Sequence, residues 1–301
     1  MKFIVKNNAK ICLTISAAIM AIALLMTAFG YGMNLGIDFT GGILMHYEMG
    51  EAFSADVVRD ALADQGITES QIAMAGPART ELQARIKDIE NSDAVRVALE
   101  AKLRETYPQA VFTSISRVGA VAGQDLIRSA VLSVLIAWAL ILVYIAIRFD
   151  FYSGMATVFG ILHDVLIMVS FMVILRSFIQ VNSTFFAALL TIVGYSINDT
   201  IVIFDRIREN HGKHSLRNLS REQIVSRSVQ ESLSRSINTT LSTLLVTVAL
   251  YILGVDSIKE FTLPLIIGMI SAIYSCNMIT GYVWAFLLEK RDQMRLKAKK
   301  A

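Results

Sequence analysis

Six long apolar stretches alternate with shorter polar segments along the chain. A helix needs about 20 apolar residues to cross the hydrocarbon core of a bilayer. Each stretch is about that long, and the first has no charged residue between Lys10 and Asp38. We therefore predict six transmembrane helices, near residues 11–29, 126–148, 153–175, 182–205, 236–255 and 261–288.

The segment 34–124, between the first two predicted helices, has a different pattern. Apolar residues alternate with period two in four short stretches, which predicts strands, and recur at helical spacing in two longer ones. The predicted strands are 42–48, 71–75, 81–86 and 110–117, and the predicted helices are 54–65 and 92–106. The order βαββαβ is typical of an α+β ferredoxin-like fold. We predict a small domain of this kind after the first transmembrane helix.

The composition agrees with a protein that crosses the membrane several times. Hydrophobic residues make up 54% of the chain and charged residues 18%, whereas soluble domains are about 25% charged. The net charge of +3 is too small and too scattered to predict nucleic-acid binding. Cys12 and Cys276 both lie in apolar stretches, so neither a disulfide nor a metal site is predicted.

The sequence contains none of the common motifs for hydrolytic chemistry. The phosphate-binding loop G-x-x-x-x-G-K-[ST], the metalloprotease motif H-E-x-x-H and the esterase motif G-x-S-x-G do not occur. We therefore predict a transport protein rather than an enzyme, and we predict no cofactor.

The lysines and arginines of the short segments predict how the chain lies across the membrane. Basic residues precede the first helix, follow the last helix and are dense in the loop 206–235. The two short connections on the opposite side each contain one basic residue, Arg176 and Lys259. We therefore predict that both termini and the loop 206–235 are cytoplasmic, and that the domain at 34–124 lies outside. The first helix is predicted to be an uncleaved anchor, because it is long and lacks a convincing signal-peptidase site.

Ionisable residues inside the predicted helices are the strongest indication of function. Each costs about 2.5–3.5 kcal/mol at the bilayer centre on insertion scales, so such residues usually have a function. Asp199 follows Asn198 in the fourth helix, and Arg235 begins the fifth. His163 and Asp164 lie near the middle of the third helix.

These residues predict a proton relay. A carboxyl group in a low-dielectric environment binds a proton more readily than one in water. One charge that crosses a membrane potential releases about 2.3 kcal/mol per 100 mV, which is enough to bias a helix rearrangement. Asp199 is the predicted proton-binding residue, and Arg235 can reach it if the fourth and fifth helices are neighbours. The alternative is a buried ion pair that only fixes the packing of the helices.

Four segments of the chain resemble the SecD/SecF family, within the resistance-nodulation-division superfamily. They are LGIDFTGG at 35–42, VGAVAGQDLIRSAV at 118–131, LHDVLI at 162–167 and GYSINDTIVIFDRIREN at 194–210. Ala120 stands where the V-G-P motif of the family has proline. The motif positions that we expect to have a structural role are Gly36, Asp38, Gly41, Gly42 and Gly194.

The resemblance implies a role in protein export driven by the proton-motive force. In this family the acid of the S-x-N-D-T motif and an arginine at the start of the fifth helix are implicated in proton passage, and they correspond to Asp199 and Arg235. The implied location is the bacterial inner membrane. The implied partners are SecD, the SecYEG channel, YajC, YidC, membrane lipid and the unfolded preprotein in transit.

Two other functions are consistent with the sequence. One is half of a proton-coupled small-molecule exporter of the same superfamily, although the external domain is small and has no evident substrate pocket. The other is a passive scaffold that stabilises the translocase, in which Asp199 only fixes helix packing.

Overall fold

Helices make up most of the structure. The computed structural model describes residues 5–67, 70–75, 80–89, 91–216, 218–254 and 256–300. Among these residues, six helical segments are long and apolar enough to cross a membrane, as predicted. In chain order the elements are α1 (Val5–Ala28), α2 (Ile37–Thr40), β1 (Gly42–Glu48), α3 (Ala55–Ala63), β2 (Ser70–Ala75), β3 (Glu81–Ile86), α4 (Ser92–Thr106), β4 (Val111–Val118), α5 (Ala120–Arg148), α6 (Phe151–Ile174), α7 (Thr184–Gly212), α8 (Arg221–Leu253), α9 (Asp256–Tyr274), a π-helical turn (Ser275–Thr280) and α10 (Gly281–Lys300).

The chain divides into two compact units. The helical unit comprises the described residues of 1–34, 133–180 and 184–301. The sheet unit comprises those of 35–132 together with 181–183, the segment that connects α6 to α7. The sheet unit is therefore built from two parts of the chain that are far apart in sequence.

α7 is the central helix of the helical unit. It packs against α6, α8, α9 and the π-helical turn. The sequence pattern gives α7 a polar face around Asp199 and an apolar face opposite. Both faces are buried, since Val193, Ile197 and Phe204 on the opposite side of the helix are at most 7% exposed and Asp199 is 3% exposed. The acid is therefore enclosed by neighbouring helices on more than one side.

α1 and α5 are covered much less than α7. Only 11% of the most apolar stretch of α1, and 6% of that of α5, is buried within the structure. On α5, for example, Leu135, Leu140 and Ile147 are exposed. Contiguous apolar surface of this extent is stable in lipid or against another protein, and not in water.

The last helical segment contains a π-helical turn between α9 and α10. Such turns form i→i+5 hydrogen bonds, are rare and occur often at functional sites. Ser275, Cys276, Asn277 and Thr280 in this turn are all buried. The turn therefore presents a thiol and three polar side chains to the interior of the helical unit.

The segment 206–235 is mostly helical. α7 continues to Gly212, and α8 begins at Arg221 after a complete capping box. The ends of the two helices are joined, since Arg206 Nε donates to Glu231 Oε2 at 2.7 Å and Asn210 Nδ2 donates to the same oxygen at 2.8 Å. These pairings stabilise helical turns beyond the apolar stretches on which the prediction was based.

The sheet unit contains four strands in the order β2-β3-β1-β4, and all three pairings are antiparallel. The strands and the helices α3 and α4 follow one another as predicted, with bounds within two residues of the predicted ones. The short helix α2, which precedes β1, was not predicted from the sequence.

The core of the sheet unit lies between the sheet and the helices α3 and α4. Alternate residues of the central strand β1 point to it because side chains on a strand alternate between its two faces. Burying a large aliphatic or aromatic side chain stabilises a fold by about 1.5–3 kcal/mol. The fully buried members include Ile43, Met45, Tyr47, Val58, Leu62, Leu82, Leu99 and Leu103.

Candidate functional site

Asp199 lies in the middle of α7 and is 3% exposed. Its Oδ2 is approached by Thr240 Oγ1 of α8 at 3.3 Å and by Cys276 Sγ of the π-helical turn at 4.0 Å. Thr240 has a single hydroxyl proton, and that oxygen lies closer to the Ser236 carbonyl oxygen, at 2.9 Å. An ionised carboxylate has room for about four donors. Within the described part of the chain, Asp199 is therefore a buried acid with few hydrogen-bond donors.

Several other buried polar atoms lie on the elements that contact Asp199. Thr200 Oγ1, Ser236 Oγ and Asn277 Oδ1 have no hydrogen-bond partner among the described residues, and each residue is about 1% exposed. Buried polar groups are nearly always hydrogen-bonded, either to protein or to ordered water. Each of these atoms is therefore available for a hydrogen bond with a bound water.

Arg235 and Asn198 were predicted to act with Asp199, and the structure places them differently. The Arg235 guanidinium acts electrostatically on Asp199, but Arg235 is exposed and forms no hydrogen bond with any described residue. Asn198 is also exposed, since the residue before Asp199 points to a different side of the helix. The structure thus brings Arg235 into the surroundings of the acid and leaves Asn198 outside them.

Asp164 of α6 is fully buried and has many hydrogen-bond donors. Ser196 Oγ donates to it at 2.7 Å, Ser271 Oγ at 2.7 Å and Ser275 Oγ at 2.9 Å. His163 Nδ1 lies 3.1 Å from its Oδ1. These four contacts come from α6, α7, α9 and the π-helical turn, so a single carboxylate joins four elements of the helical unit.

His163 extends this network to α1. Its Nε2 lies 2.7 Å from Ser16 Oγ, and Ser16 Oγ lies 3.1 Å from Tyr274 Oη. The ring of His163 also packs edge-on against that of Tyr274, with centroids 5.4 Å apart. With its proton on Nδ1, His163 donates to Asp164 and accepts from Ser16. α1 is therefore linked to the buried acid through one histidine.

The two acids share one neighbouring element, the π-helical turn. Ser275 contacts Asp164, and the next residue, Cys276, contacts Asp199. Neither residue was predicted as part of the site. A signal for the serines exists in the sequence, since Ser271 and Ser275 have helical i, i+4 spacing in an otherwise apolar stretch.

The LGIDFTGG motif lies in the sheet unit and contacts the segment 181–183. Gly36 N donates to the Val181 carbonyl oxygen at 2.8 Å, and Asp38 Oδ2 accepts from both N and Oγ of Ser183, at 2.9 and 2.6 Å. Gly41 ends α2, and Gly42 has a φ of +125°, which favours glycine. The motif therefore anchors two parts of the chain that are about 145 residues apart. Gly194, by contrast, has open space around it among the described residues.

Replacing Gly36 by alanine is expected to disrupt this anchor. A Cβ at position 36 would overlap the side chain of Asn182, and overpacking of this kind costs about 1–3 kcal/mol. We expect a lower melting temperature and faster exchange of the backbone amide at position 36 in the purified full chain. Gly32→Ala is the matched control, because a Cβ at Gly32 meets no described atom within 4 Å. Equal stability of the two variants would contradict the prediction.

The sequence matches two models of known families. Residues 98–290 match the family described as protein export membrane protein SecD/SecF, C-terminal. Residues 28–48 match the SecD/SecF GG motif. The first match covers α5 to α9, the π-helical turn and the first half of α10, together with both buried acids. The second covers Gly36 and Asp38 of the anchor.

Relatives that carry the name protein translocase subunit SecF align with most of the chain. The chain is 33% identical over 293 residues to that of Acidaminococcus fermentans, which covers 96% of this chain and 98% of the relative. It is 34% identical over 261 residues to that of Haemophilus influenzae, and this alignment covers 87% of this chain and 78% of the relative.

Solved structures of SecDF have a similar fold. SecDF from Thermus thermophilus, described as a translocon-associated membrane protein, matches with a TM-score of 0.82 and 32% identity. A SecDF structure in a super-membrane-facing form matches with a TM-score of 0.67 and 30% identity. The first match covers 95% of this chain but 38% of the SecDF chain. The chain therefore belongs to the SecD/SecF family of protein export membrane proteins, and within it to the protein translocase subunits SecF.

Proposed function

We propose that this subunit couples proton movement across the bacterial inner membrane to the export of preproteins through SecYEG, as the partner of SecD. One observation carries the proposal: a carboxyl group, Asp199, is enclosed in the middle of a membrane-spanning helix with too few hydrogen-bond donors to satisfy its ionised form. Buried carboxylates that only stabilise a structure are paired or fully hydrogen-bonded.

Asp199 is the residue that binds and releases the proton. Thr240 and Cys276 are its contacts, at 3.3 and 4.0 Å, and Arg235 contributes a nearby positive charge. The charge of Arg235 stabilises the ionised acid, and protonation of the acid removes that attraction. Protonation therefore changes the interaction between α7 and α8, which is what a proton-driven rearrangement of helices requires.

Water bound at Thr200, Ser236 and Asn277 connects Asp199 with the ends of the helices. These residues have buried polar atoms with no partner among the described residues. Ser236 is one helical turn from Thr240 and next to Arg235, so a path through it leads toward the basic ends of α7 and α8. Asn198, which is exposed, contributes at most to the outer part of such a path.

Asp164 and His163 take part as the fixed side of the relay. Four donors surround Asp164 at 2.7–3.1 Å, so its carboxylate is satisfied without a proton. The π-helical turn contacts this fixed acid through Ser275 and the exchangeable acid through Cys276. We therefore assign to the turn the transmission of changes at Asp199 to the rest of the helical unit.

The sheet unit is a ferredoxin-like domain on the periplasmic side, and both chain termini are cytoplasmic. The βαββαβ order and the strand order β2-β3-β1-β4 support the first assignment, and the distribution of lysine and arginine supports the second. SecDF structures contain both halves, and this chain spans 38% of one of them, which supports SecD as the partner. SecYEG, YajC, YidC and the preprotein are proposed as further partners on the basis of family membership.

The test is protein export into inverted membrane vesicles with and without a proton gradient. We expect the gradient to stimulate export when this subunit and SecD are present, and a protonophore to remove that stimulation. Vesicles that lack the subunit serve as the comparison, with the amount of SecYEG matched. Equal stimulation in both sets of vesicles would contradict energy coupling and leave a scaffolding role.

A further inference from the structure

A polar cavity lies at the end of the helical unit where α5 ends and α6 begins. Its volume is about 590 Å³, which is within the range of about 300–1,000 Å³ found for small-molecule sites. None of the residues proposed for the proton relay lines it. Its lining includes four arginines: Arg148, Arg208, Arg221 and Arg291.

The acids near this cavity neutralise only part of its positive charge. Arg148 pairs with Asp205 at 2.7 Å. Arg221 and Arg291 both pair with one carboxylate, Asp292, at 2.7 and 3.0 Å. Two guanidinium groups thus share a single negative charge, which leaves them with an excess of about one positive charge.

Arg208 adds a second unneutralised charge. It is exposed in the last part of α7 and forms no ion pair with any residue that the structure describes. The remaining acid in the lining, Asp150, caps α6 and accepts from Ser153 Oγ at 2.6 Å, and its negative charge offsets one positive charge. The four arginines and the three acids Asp150, Asp205 and Asp292 together leave a net charge of about +1, so the cavity favours an anionic ligand.

A buried donor at the cavity points to the same conclusion. Trp284 lines the cavity and is 7% exposed. Its Nε1 is buried and has no acceptor among the described residues. An indole N–H is a donor only, and a buried donor is costly to leave unpaired. A ligand with acceptor oxygens that reaches this N–H would satisfy it.

The position of the cavity identifies the source of that ligand. Arg148 and Arg221 lie at the ends of membrane-spanning helices, and the apolar residues Ile147 and Leu288 also line the cavity. Ile147 is 83% exposed, so the cavity adjoins the surface that faces lipid. Basic pockets between membrane helices bind phosphate-containing lipid headgroups, and guanidinium groups match the geometry of phosphate oxygens.

We propose that this cavity binds the headgroup of an anionic phospholipid, with Arg208 and Arg291 contacting the phosphate and Trp284 donating to one of its oxygens. The orientation proposed above places the cavity at the cytoplasmic leaflet. No other part of this proposal depends on that orientation. The site would tie the ends of α5, α7 and α10 to the surface of the membrane.

Native mass spectrometry of the purified full chain tests the proposal, with phosphatidylglycerol and phosphatidylcholine titrated separately. We expect tighter binding of phosphatidylglycerol. Arg208→Ala is expected to weaken it about tenfold or more, since a hydrogen bond to a charged group is lost. Trp284→Phe keeps the ring, removes the N–H and is expected to weaken binding about threefold to tenfold.

Arg295→Ala is the matched control, because Arg295 is an exposed arginine of α10 that does not line the cavity. Unchanged binding by Arg295→Ala and weaker binding by the two cavity variants supports the proposal. Equal affinity of wild type and both cavity variants overturns it. Displacement of the lipid by equimolar inorganic phosphate also overturns it, because the site would then take soluble phosphate. Since none of these measurements involves export, their failure is distinct from failure of the proposed function.

Discussion

Asp199→Asn is expected to abolish the part of protein export that depends on the proton gradient, while export without a gradient stays at the wild-type level. Asparagine has nearly the same size and keeps an acceptor oxygen for Thr240 at this position. It cannot bind and release a proton under physiological conditions. The variant therefore removes the proposed chemistry while it preserves the packing around α7.

The measurement is export into inverted vesicles, with and without a protonophore, at matched amounts of the assembled complex. Glu289→Gln is the matched control, since it makes the same carboxyl-to-amide change at an exposed residue of α10. The control is expected to behave like the wild type. Normal gradient-dependent export by Asp199→Asn would show that the acid only fixes helix packing.

Asp164→Ala is expected to have the largest effect on stability of any single change in the helical unit. It would leave three serine hydroxyls and one imidazole without their acceptor. A buried donor left without its acceptor costs about 1–3 kcal/mol, and hydrogen bonds between membrane helices are worth about 0.6 kcal/mol each on average. We expect a loss of about 2–5 kcal/mol in the free energy of unfolding.

Thermal unfolding of the purified full chain in detergent measures this effect. Ser170→Ala is the control on the same helix, because Ser170 donates only to the Leu166 carbonyl oxygen of its own helix. Asp164→Asn is expected to fall between the control and Asp164→Ala, since an amide keeps one acceptor oxygen. A melting temperature for Asp164→Ala equal to that of the control would contradict the anchoring role.

The sequence predicts the elements of this protein better than their contacts. The six membrane helices and the strands of the sheet unit follow from length and periodicity, which are local properties. Asp199 is identified by its charge in an apolar stretch. The donors to Asp164 could not be predicted in the same way, because Ser271 and Ser275 lie more than 100 residues away in sequence. Their contact depends on which helices are neighbours.

The segment 206–235 illustrates a second limit. Its charge density indicates a surface segment, but it does not indicate that charged residues at the facing ends of α7 and α8 pair with each other. The hydrogen bond between Ser183 and Asp38 illustrates a third limit. A glycine-rich motif predicts a special backbone, but it does not identify the distant segment that the backbone contacts.

The π-helical turn fixes the rotational phase of α10 relative to α9. A π turn accommodates one residue more than a regular turn, and each helical residue advances the direction of the side chains by about 100°. If the same residues formed a regular α-helix instead, Trp284 and Arg291 would be rotated by about 100° about the helix axis, away from the arginines of the other helices. The π-helical turn thus fixes the orientation of the side chains at the basic end of the helix relative to the side chains around the buried acids.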